Sequence, residues 1–330
     1  MPTVSIIVPC FNEQSTILLL LEAVYAQTYP RAELEVIVAD GCSTDSTCAE
    51  IEAFRAAHAD LALKVVENPL RIIPAALNRA LAASAGKYIV RLDAHSVPQV
   101  DYVARCVAAL ELGRATNVGG VWDIRPGGPG WVARAIAAAA AHPLGVGDAQ
   151  YRYASQAGPV DTVPFGSFAR ALVDRIGPFD ETLLTNEDYE FNTRIRQGGG
   201  VVWLDPQIRS TYFARSTLGG LARQYWRYGY WKRRMLRRYP GSLRWRQALP
   251  PLFVLSLICL GLTGIFVTQA RWLLGGELIV YLIVELSAGL LAAIRRRDAA
   301  MAFGLPLGIA TMHITWGAGF LWSLLSLKKR

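Results

Sequence analysis

Three long apolar runs close this chain, and they restrict its fold more than any other feature. Residues 249–267 form the first run, 272–294 the second, and 299–327 a third that Pro306 and His313 interrupt. About 20 apolar residues are enough for a helix to cross a bilayer. In hydrocarbon every backbone N–H and C=O must be bonded within the segment, which leaves helices for runs of this length. The sequence therefore predicts spans over 249–267 and 272–294 and a third membrane region over 299–327. A single crossing and a short re-entrant hairpin both fit that third region, and only the hairpin keeps Lys328-Lys329-Arg330 inside. Arg295-Arg296-Arg297 marks a cytosolic end after the second run, so the chain is expected to go out and come back. A mean hydropathy of +0.26 and 52% hydrophobic residues agree, being too apolar for an ordinary soluble enzyme.

The stretch just before the first run is strongly basic. Between residues 222 and 247 every charged residue is Lys or Arg, with Tyr and Trp interleaved. Such a mixture can serve nucleic acid. Beside an apolar run it reads instead as a cytoplasmic membrane surface, as the positive-inside rule predicts. The net charge of +8 is thus assigned to the membrane and to phosphate-bearing substrates, and no nucleic-acid partner is expected. The chain opens without a basic n-region or long h-region, so no signal peptide is expected. Its five scattered cysteines read as reduced thiols in a cytosolic compartment.

The first 221 residues read as an α/β domain. Val4-Ser5-Ile6-Ile7-Val8 is a short buried strand stopped by Pro9, and Asn12-Glu13-Gln14-Ser15 opens a helix. Strands over 34–39, 63–66 and 87–92 alternate with helices over 48–57 and 75–83. That order predicts a mostly parallel sheet with right-handed crossovers, whose ligands bind at the carboxyl edge of the strands. Further on, 118–122 reads as a strand, 134–142 as an alanine-rich helix and 144–162 as a long, mobile loop. Residues 187–197 read as a helix stopped by three glycines, and 201–204 as a strand ended by Asp205-Pro206. The expected division is 1–221 as the α/β domain, 222–247 as an interface segment and 248–330 as the membrane region.

Acidic residues at strand and helix ends are the candidates for chemistry. Asp40-Gly41 ends a strand, where a carboxylate can accept from a base or ribose and glycine allows a sharp turn. Asp45 is read as a helix cap. Asp93 and His95 stand two apart just past a strand, so both face one side of the chain, as metal ligands would. Glu187-Asp188 enters a helix, where carboxylates favour the dipole or act as general base. Glu285 and His313 are ionisable groups inside apolar runs and are candidates by default.

These motifs, in this order, resemble family 2 inverting glycosyltransferases of the GT-A type. Val4-Ser5-Ile6-Ile7-Val8-Pro9-Cys10-Phe11-Asn12-Glu13 looks like their first strand and turn. Asp40-Gly41-Cys42-Ser43-Thr44-Asp45-Ser46-Thr47 is similar to their nucleotide-binding aspartate motif. Arg91-Leu92-Asp93-Ala94-His95 stands where they carry Asp-x-Asp, and Gly177-Pro178-Phe179-Asp180-Glu181 with Asn186-Glu187-Asp188 matches the acceptor side and the catalytic base. The Asp-Ala-His form and the C-terminal spans are similar to bacterial enzymes of the succinoglycan type. The resemblance implies a nucleotide-sugar-binding mixed sheet with C-terminal transmembrane helices, in a multi-pass bacterial inner-membrane protein with a cytoplasmic catalytic domain. It implies a UDP-sugar donor held by Pro9, Phe11, Glu13, Asp40, Arg71 and Asp93. Asp93, with His95, would hold Mn2+ or Mg2+. Asp188, beside Glu187, would be the general base that delivers a hydroxyl of a lipid-linked (polyprenyl diphosphate) saccharide to a hexose, with UDP-glucose the favoured donor. The histidine departs from the family's second aspartate, so His95 either ligates the metal or touches the diphosphate or acceptor. Gln224-Tyr225-Trp226-Arg227-Tyr228 partly matches the acceptor-end motif of processive synthases, with Gln224 and Arg227 on the acceptor or membrane side. An amphipathic interface helix accounts for the same residues. A processive synthase, or a non-catalytic membrane scaffold that keeps the fold, are the rival functions.

Overall fold

The computed structural model describes residues 2–326 and divides the chain into two compact units. The first comprises Met1–Asp123 and Tyr153–Tyr212; the second comprises Ile124–Arg152 and Phe213–Arg330. This division differs from one at 221 in where it places residues 124–152. Residues 124–152 belong with the C-terminal helices, because the alanine-rich segment offers a small-residue face that packs on helices. The charge signal at Lys328-Lys329-Arg330 lies outside the described residues.

In the first unit the chain runs β1 (Val4–Cys10), α1 (Ile17–Tyr25), β2 (Leu34–Asp40), α2 (Thr47–Ala57), β3 (Ala62–Glu67), α3 (Ile73–Ala83), β4 (Tyr88–Arg91), β5 (Ser96–Pro98) and α4 (Tyr102–Glu111). β1 and β2 are buried almost throughout, as parallel strands covered on both faces must be. β1 lies between β2 and β4, and all three are parallel. Register sets Cys10 beside Asp40 and Ile7 beside Arg91, so β1 and β2 end level while Arg91 sits deeper in the sheet. Gly86 makes the β1–β4 approach possible: a Cβ there would stand 2.6 Å from the Ser5 backbone nitrogen.

β6 (Asn117–Pro126) and β9 (Val202–Ala214) each run across a unit boundary. Between them in sequence lie α5 (Trp131–Ala140), α6 (Pro143–Val146), β7 (Gly158–Pro159), β8 (Ser167–Ala169), α7 (Ala171–Ile176) and α8 (Glu187–Gln197). The sheet order is β3-β2-β1-β4-β8-β6-β9-β5, with β7 on β9. The parallel expectation holds for β3-β2-β1-β4; β8 runs antiparallel on β4 and β6 antiparallel on β8, giving a mixed sheet. β9 also departs from expectation, because Asp205-Pro206 does not end it. The Asp205 carboxylate accepts from the Gln207 N–H at 2.8 Å, and Pro206 has no N–H to satisfy, so the strand continues to pair with β5.

The second unit contains α5, α6, α9 (Leu218–Leu236), α10 (Trp245–Gly264), α11 (Thr268–Arg296) and α12 (Met301–Leu325). α10 and α11 are long and apolar enough to cross a membrane. α12 is one unbroken helix, not a hairpin, and is not among the helices that reach that hydropathy; its glycines, threonines and His313 lower it. It packs on α5, α9, α10 and α11 through small residues. Gly304 and Gly308 face Ala135 and Ala139, Gly317 faces Pro250, and Gly229 and Gly319 meet the carbonyls of Trp316 and Trp226 in reciprocal contacts. The segment expected to be a mobile loop begins firmly held. His313 Nε2 donates to the Leu144 carbonyl at 2.9 Å, Arg152 donates to the Ala140 carbonyl at 3.0 Å, and Arg246 pairs with Asp148.

Candidate active site

Two loops at the carboxyl edge of β1 and β2 are zipped together by side-chain-to-backbone bonds. The Asn12 N–H donates to Ser43 Oγ, the Thr44 N–H to Asn12 Oδ1 and the Glu13 N–H to Thr47 Oγ1, each at 2.8 Å. This explains why α1 starts at Ile17 and not at Asn12: residues 12–14 are spent on the neighbouring loop. Asn12, Cys42 and Arg71 all have φ near +55°, a left-handed conformation uncommon for such residues. Strain gathered at one sheet edge is typical of a binding site.

Asp40 ends β2 almost wholly buried. It accepts from the Ser43 N–H at 2.9 Å and from Ser43 Oγ at 2.6 Å. Asp45 caps α2 as expected, accepting from the Thr47 N–H and hydroxyl; these bonds hold its carboxyl below the usual range. Phe11 and Arg71 are exposed, with the guanidinium 5.7 Å from the ring centroid. Both flank the Asp40 loop: a Cβ at Gly41 would touch Phe11 at 3.1 Å. Pro9, which is half-buried, follows Val8 on β1.

Arg91 organises the rest. It is the last residue of β4, 2% exposed, and its guanidinium reaches three carboxylates. Nη2 donates to Asp93 Oδ1 at 3.0 Å and to Glu187 Oε1 at 2.9 Å, and Nη1 is paired with Asp188. The charges of Asp188, Asp93 and Glu187 hold Arg91 protonated against the cost of its burial. α8 supplies Glu187 and Asp188 from its first turn, entered through Asn186 at φ +70°. The Phe165 N–H donates to the Asp188 carboxylate; Phe165 is itself left-handed at φ +53° and precedes β8, which pairs with β4. Burial pushes the Asp188 carboxyl up to about 7; Glu187 and Asp93 add to this and Arg91 opposes it. Its side chain is nonetheless 27% exposed, so the carboxylate can be reached from solvent.

His95 turns toward β1: its Nδ1 lies 3.0 Å from Glu13 Oε1. The acceptor-side turn 177–181 is held from two elements. Asn78 on α3 exchanges 2.9 Å bonds with the Phe179 backbone, and Arg194 on α8 donates to the carbonyls of Gly177 and Pro178 at 3.1 and 2.8 Å.

The profile of Glycosyl transferase family 2 matches residues 5–177, just over half of the chain. The chain belongs to that family. It is similar to the succinoglycan biosynthesis protein ExoA of Rhizobium meliloti (strain 1021), 29% identical over 330 residues that cover 98% of this chain and 96% of the relative. It is also similar to the dolichyl N-acetyl-alpha-D-glucosaminyl phosphate 3-beta-D-2,3-diacetamido-2,3-dideoxy-beta-D-glucuronosyltransferase of Methanococcus voltae, 27% identical over 271 residues, 80% of this chain and 83% of the relative. Among solved structures it resembles the mannosyltransferase PcManGT from Pyrobaculum calidifontis in complex with GDP-Man and Mn2+, with a TM-score of 0.64, 22% identity, and coverage of 99% of this chain and 88% of that one. That likeness shows the GT-A fold.

In this glycosyltransferase, then, the structure gathers Asp93, Glu187 and Asp188 on one guanidinium and sets His95 against Glu13. It gathers Phe11, Asp40 and Arg71 around the β1–β2 edge. Gln224 and Arg227 lie on α9 in the second unit, where Gln224 donates to the Tyr228 hydroxyl at 3.0 Å and Arg227 is exposed. Sequence reasoning passed over Arg91, Asn78 and Phe165 as working parts. Arg91 alone carried a signal, as a charged residue inside a run otherwise fit for a buried strand.

Proposed function

We propose that this glycosyltransferase moves a hexose, glucose in the first instance, from a UDP-sugar to a hydroxyl of a lipid-linked saccharide at the cytosolic membrane face. The single observation that carries the reading is the Arg91 cluster. It joins Asp93, on the donor side by resemblance, to Asp188, on the acceptor side, through one buried charge. The names of the relatives support a lipid-linked or exopolysaccharide acceptor. α10 and α11 support work at a membrane.

The residues present fit a divalent metal. Asp93 Oδ1 is taken by Arg91, whereas Oδ2 has no hydrogen-bond partner among the described residues. No group of three His, Cys, Asp or Glu side chains able to hold a metal is found among the described residues. That suits an ion held by one or two side chains and completed by substrate phosphates. Asp93 would hold it with His95, whose ring Glu13 orients as carboxylates orient ligating imidazoles. Bound there, Mn2+ or Mg2+ would offset the negative charge that grows on the leaving UDP.

The chain's own residues account for the rest. Phe11 and Arg71 offer flat groups for the base, and Asp40 an acceptor for uracil or ribose. Asp188 takes the proton of the acceptor hydroxyl as the hydroxyl oxygen bonds to the anomeric carbon and the bond to UDP breaks. A base whose pKa lies near 7 is matched to neutral pH. One displacement inverts the configuration. The test is the product formed from UDP-glucose, an α-linked donor, with a metal and a lipid-linked acceptor. Nuclear magnetic resonance should show one added β-linked sugar. An α-linkage overturns the mechanism, and a ladder of sugars favours a processive synthase.

A further inference from the structure

The basic stretch of α9 and its exit sorts itself by what each cation already touches. Lys232 is buried and donates to the Ser242 carbonyl at 3.0 Å and hydroxyl at 3.3 Å, which fixes the turn Pro240–Ser242. Arg246 pairs with Asp148, and Arg244 lies 3.2 Å from the same carboxylate. Arg234 donates to the Tyr230 hydroxyl at 2.7 Å and lies over the Tyr230 and Trp231 rings at 4.8 and 5.2 Å. The partners of Arg234 are neutral and leave its charge unoffset, whereas Lys232, Arg244 and Arg246 have structural duties.

Arg233 has none. Its Nη1 is out of solvent contact and has no hydrogen-bond partner among the described residues. Burial, then repulsion from Arg237 and Arg234, weakens its hold on its proton. No acidic residue lies between 222 and 247 to compensate. The negative end of the α9 dipole offsets about half a charge, which is too little for three guanidiniums. A buried donor left unpaired costs free energy, more so when it is charged. The arrangement is therefore expected to have an anionic ligand.

The geometry points to a phosphate-binding site formed by Arg233, Arg234 and Arg237, filled by the terminal phosphate or diphosphate of an isoprenoid-type lipid. Three uncompensated charges favour a group with more than one negative charge, and guanidiniums suit phosphate oxygens two at a time. A phospholipid diester brings a single charge. The lipid tail has a place to go, because α9 leads through the Lys232-fixed turn into α10, which is long enough to cross a membrane. The Tyr230 and Trp231 rings beside Arg234 are the residues favoured at a membrane interface. The site deepens the lipid-linked-acceptor reading and rests on it for the identity of the lipid.

The test uses the full chain in phosphatidylcholine nanodiscs, titrated with farnesyl diphosphate and followed by tryptophan fluorescence, with no sugar donor present. Binding should saturate. Arg233→Gln should weaken it at least tenfold and Arg233→Lys less, while Arg223→Gln, exposed on the same helix, should change it less than twofold. Inorganic pyrophosphate should compete only weakly, and phosphatidylglycerol in the disc should compete less well than added diphosphate. Equal binding by Arg233→Gln and the wild type overturns the site. So does an equal loss in Arg223→Gln, or equal competition by phosphatidylglycerol, either of which would reduce it to a diffuse basic surface. Binding of UDP-glucose with Mn2+ to Arg233→Gln, measured separately, reports on folding and on the donor site. Should the transferase reading fail while farnesyl diphosphate still depends on Arg233, the two results separate the claims.

Discussion

Each half of this glycosyltransferase takes part of a guanidinium out of water, all of it at Arg91 and only Nη1 at Arg233, and the two are treated oppositely. Arg91 in the sheet unit meets three carboxylates and leaves the site with surplus negative charge. Arg233 in the helical unit meets other arginines and leaves surplus positive charge. A built surplus of one sign is a demand for a ligand of the other. On the proposals above, the first would take a cation beside the Asp188 base, and the second a phosphate beside a helix long and apolar enough to cross a membrane. The two also cohere differently. The sheet unit is held by long-range strand pairing, and the helical unit by glycines that bring α12 against its neighbours.

The strongest way to break this contrast is to remove each cation. Arg91→Met strands three carboxylates and should cost about 3–5 kcal/mol of stability, the usual result of deleting one member of a buried pair. Arg233→Met relieves repulsion and should leave thermal stability unchanged or slightly raised. Equal losses in a melting experiment would show that the two guanidiniums are not opposites. A smaller effect tests the packing. Gly229→Ala forces a methyl onto the Trp316 carbonyl and should cost about 1–3 kcal/mol. Gly261→Ala, with nothing within 4 Å, should gain up to about 1 kcal/mol from helix propensity.

A further test of the contrast is in pH. Asp188 binds its proton more tightly folded, at about 7, than unfolded, at 3.8. Ionising it therefore opposes folding, and the penalty grows as pH rises from about 4 to 7 and then levels. Asp188→Asn lifts that penalty, by about 1.4 kcal/mol for each tenfold gain in proton affinity on folding. The melting temperature of Asp188→Asn minus that of the wild type should thus increase between pH 5 and pH 8. A constant or falling difference would mean that folding does not raise the Asp188 pKa.

Much of the architecture was legible in the chain. The first strands are apolar, β-branched runs with clear stops, and the α8 boundaries at Glu187 and Gln197 follow from an acidic first turn and three glycines. The antiparallel half was harder, because β8 and β5 are three residues each and are defined by their partners, not by periodicity. Pro206 misled because its missing N–H was read as a stop when the neighbouring Asp205 completes the bonding. That residues 124–152 group with the C-terminal helices was not legible, because an alanine-rich helix looks the same wherever it packs. In the candidate site, Asp93 and Asp188 could be nominated from their places at element ends. Their union on Arg91 could not, since it depends on 96 and 97 residues of separation closing through the sheet.

The most direct test of the account is Asp188→Asn, assayed for hexosyl transfer and, by calorimetry, for binding of UDP with Mn2+. Asp188 as general base predicts a loss of about 10²–10⁴ in turnover with donor-nucleotide affinity changed less than threefold. Turnover within a few-fold of the wild type would contradict the account outright, and loss of nucleotide binding in step with turnover would move Asp188 from the acceptor hydroxyl to the donor.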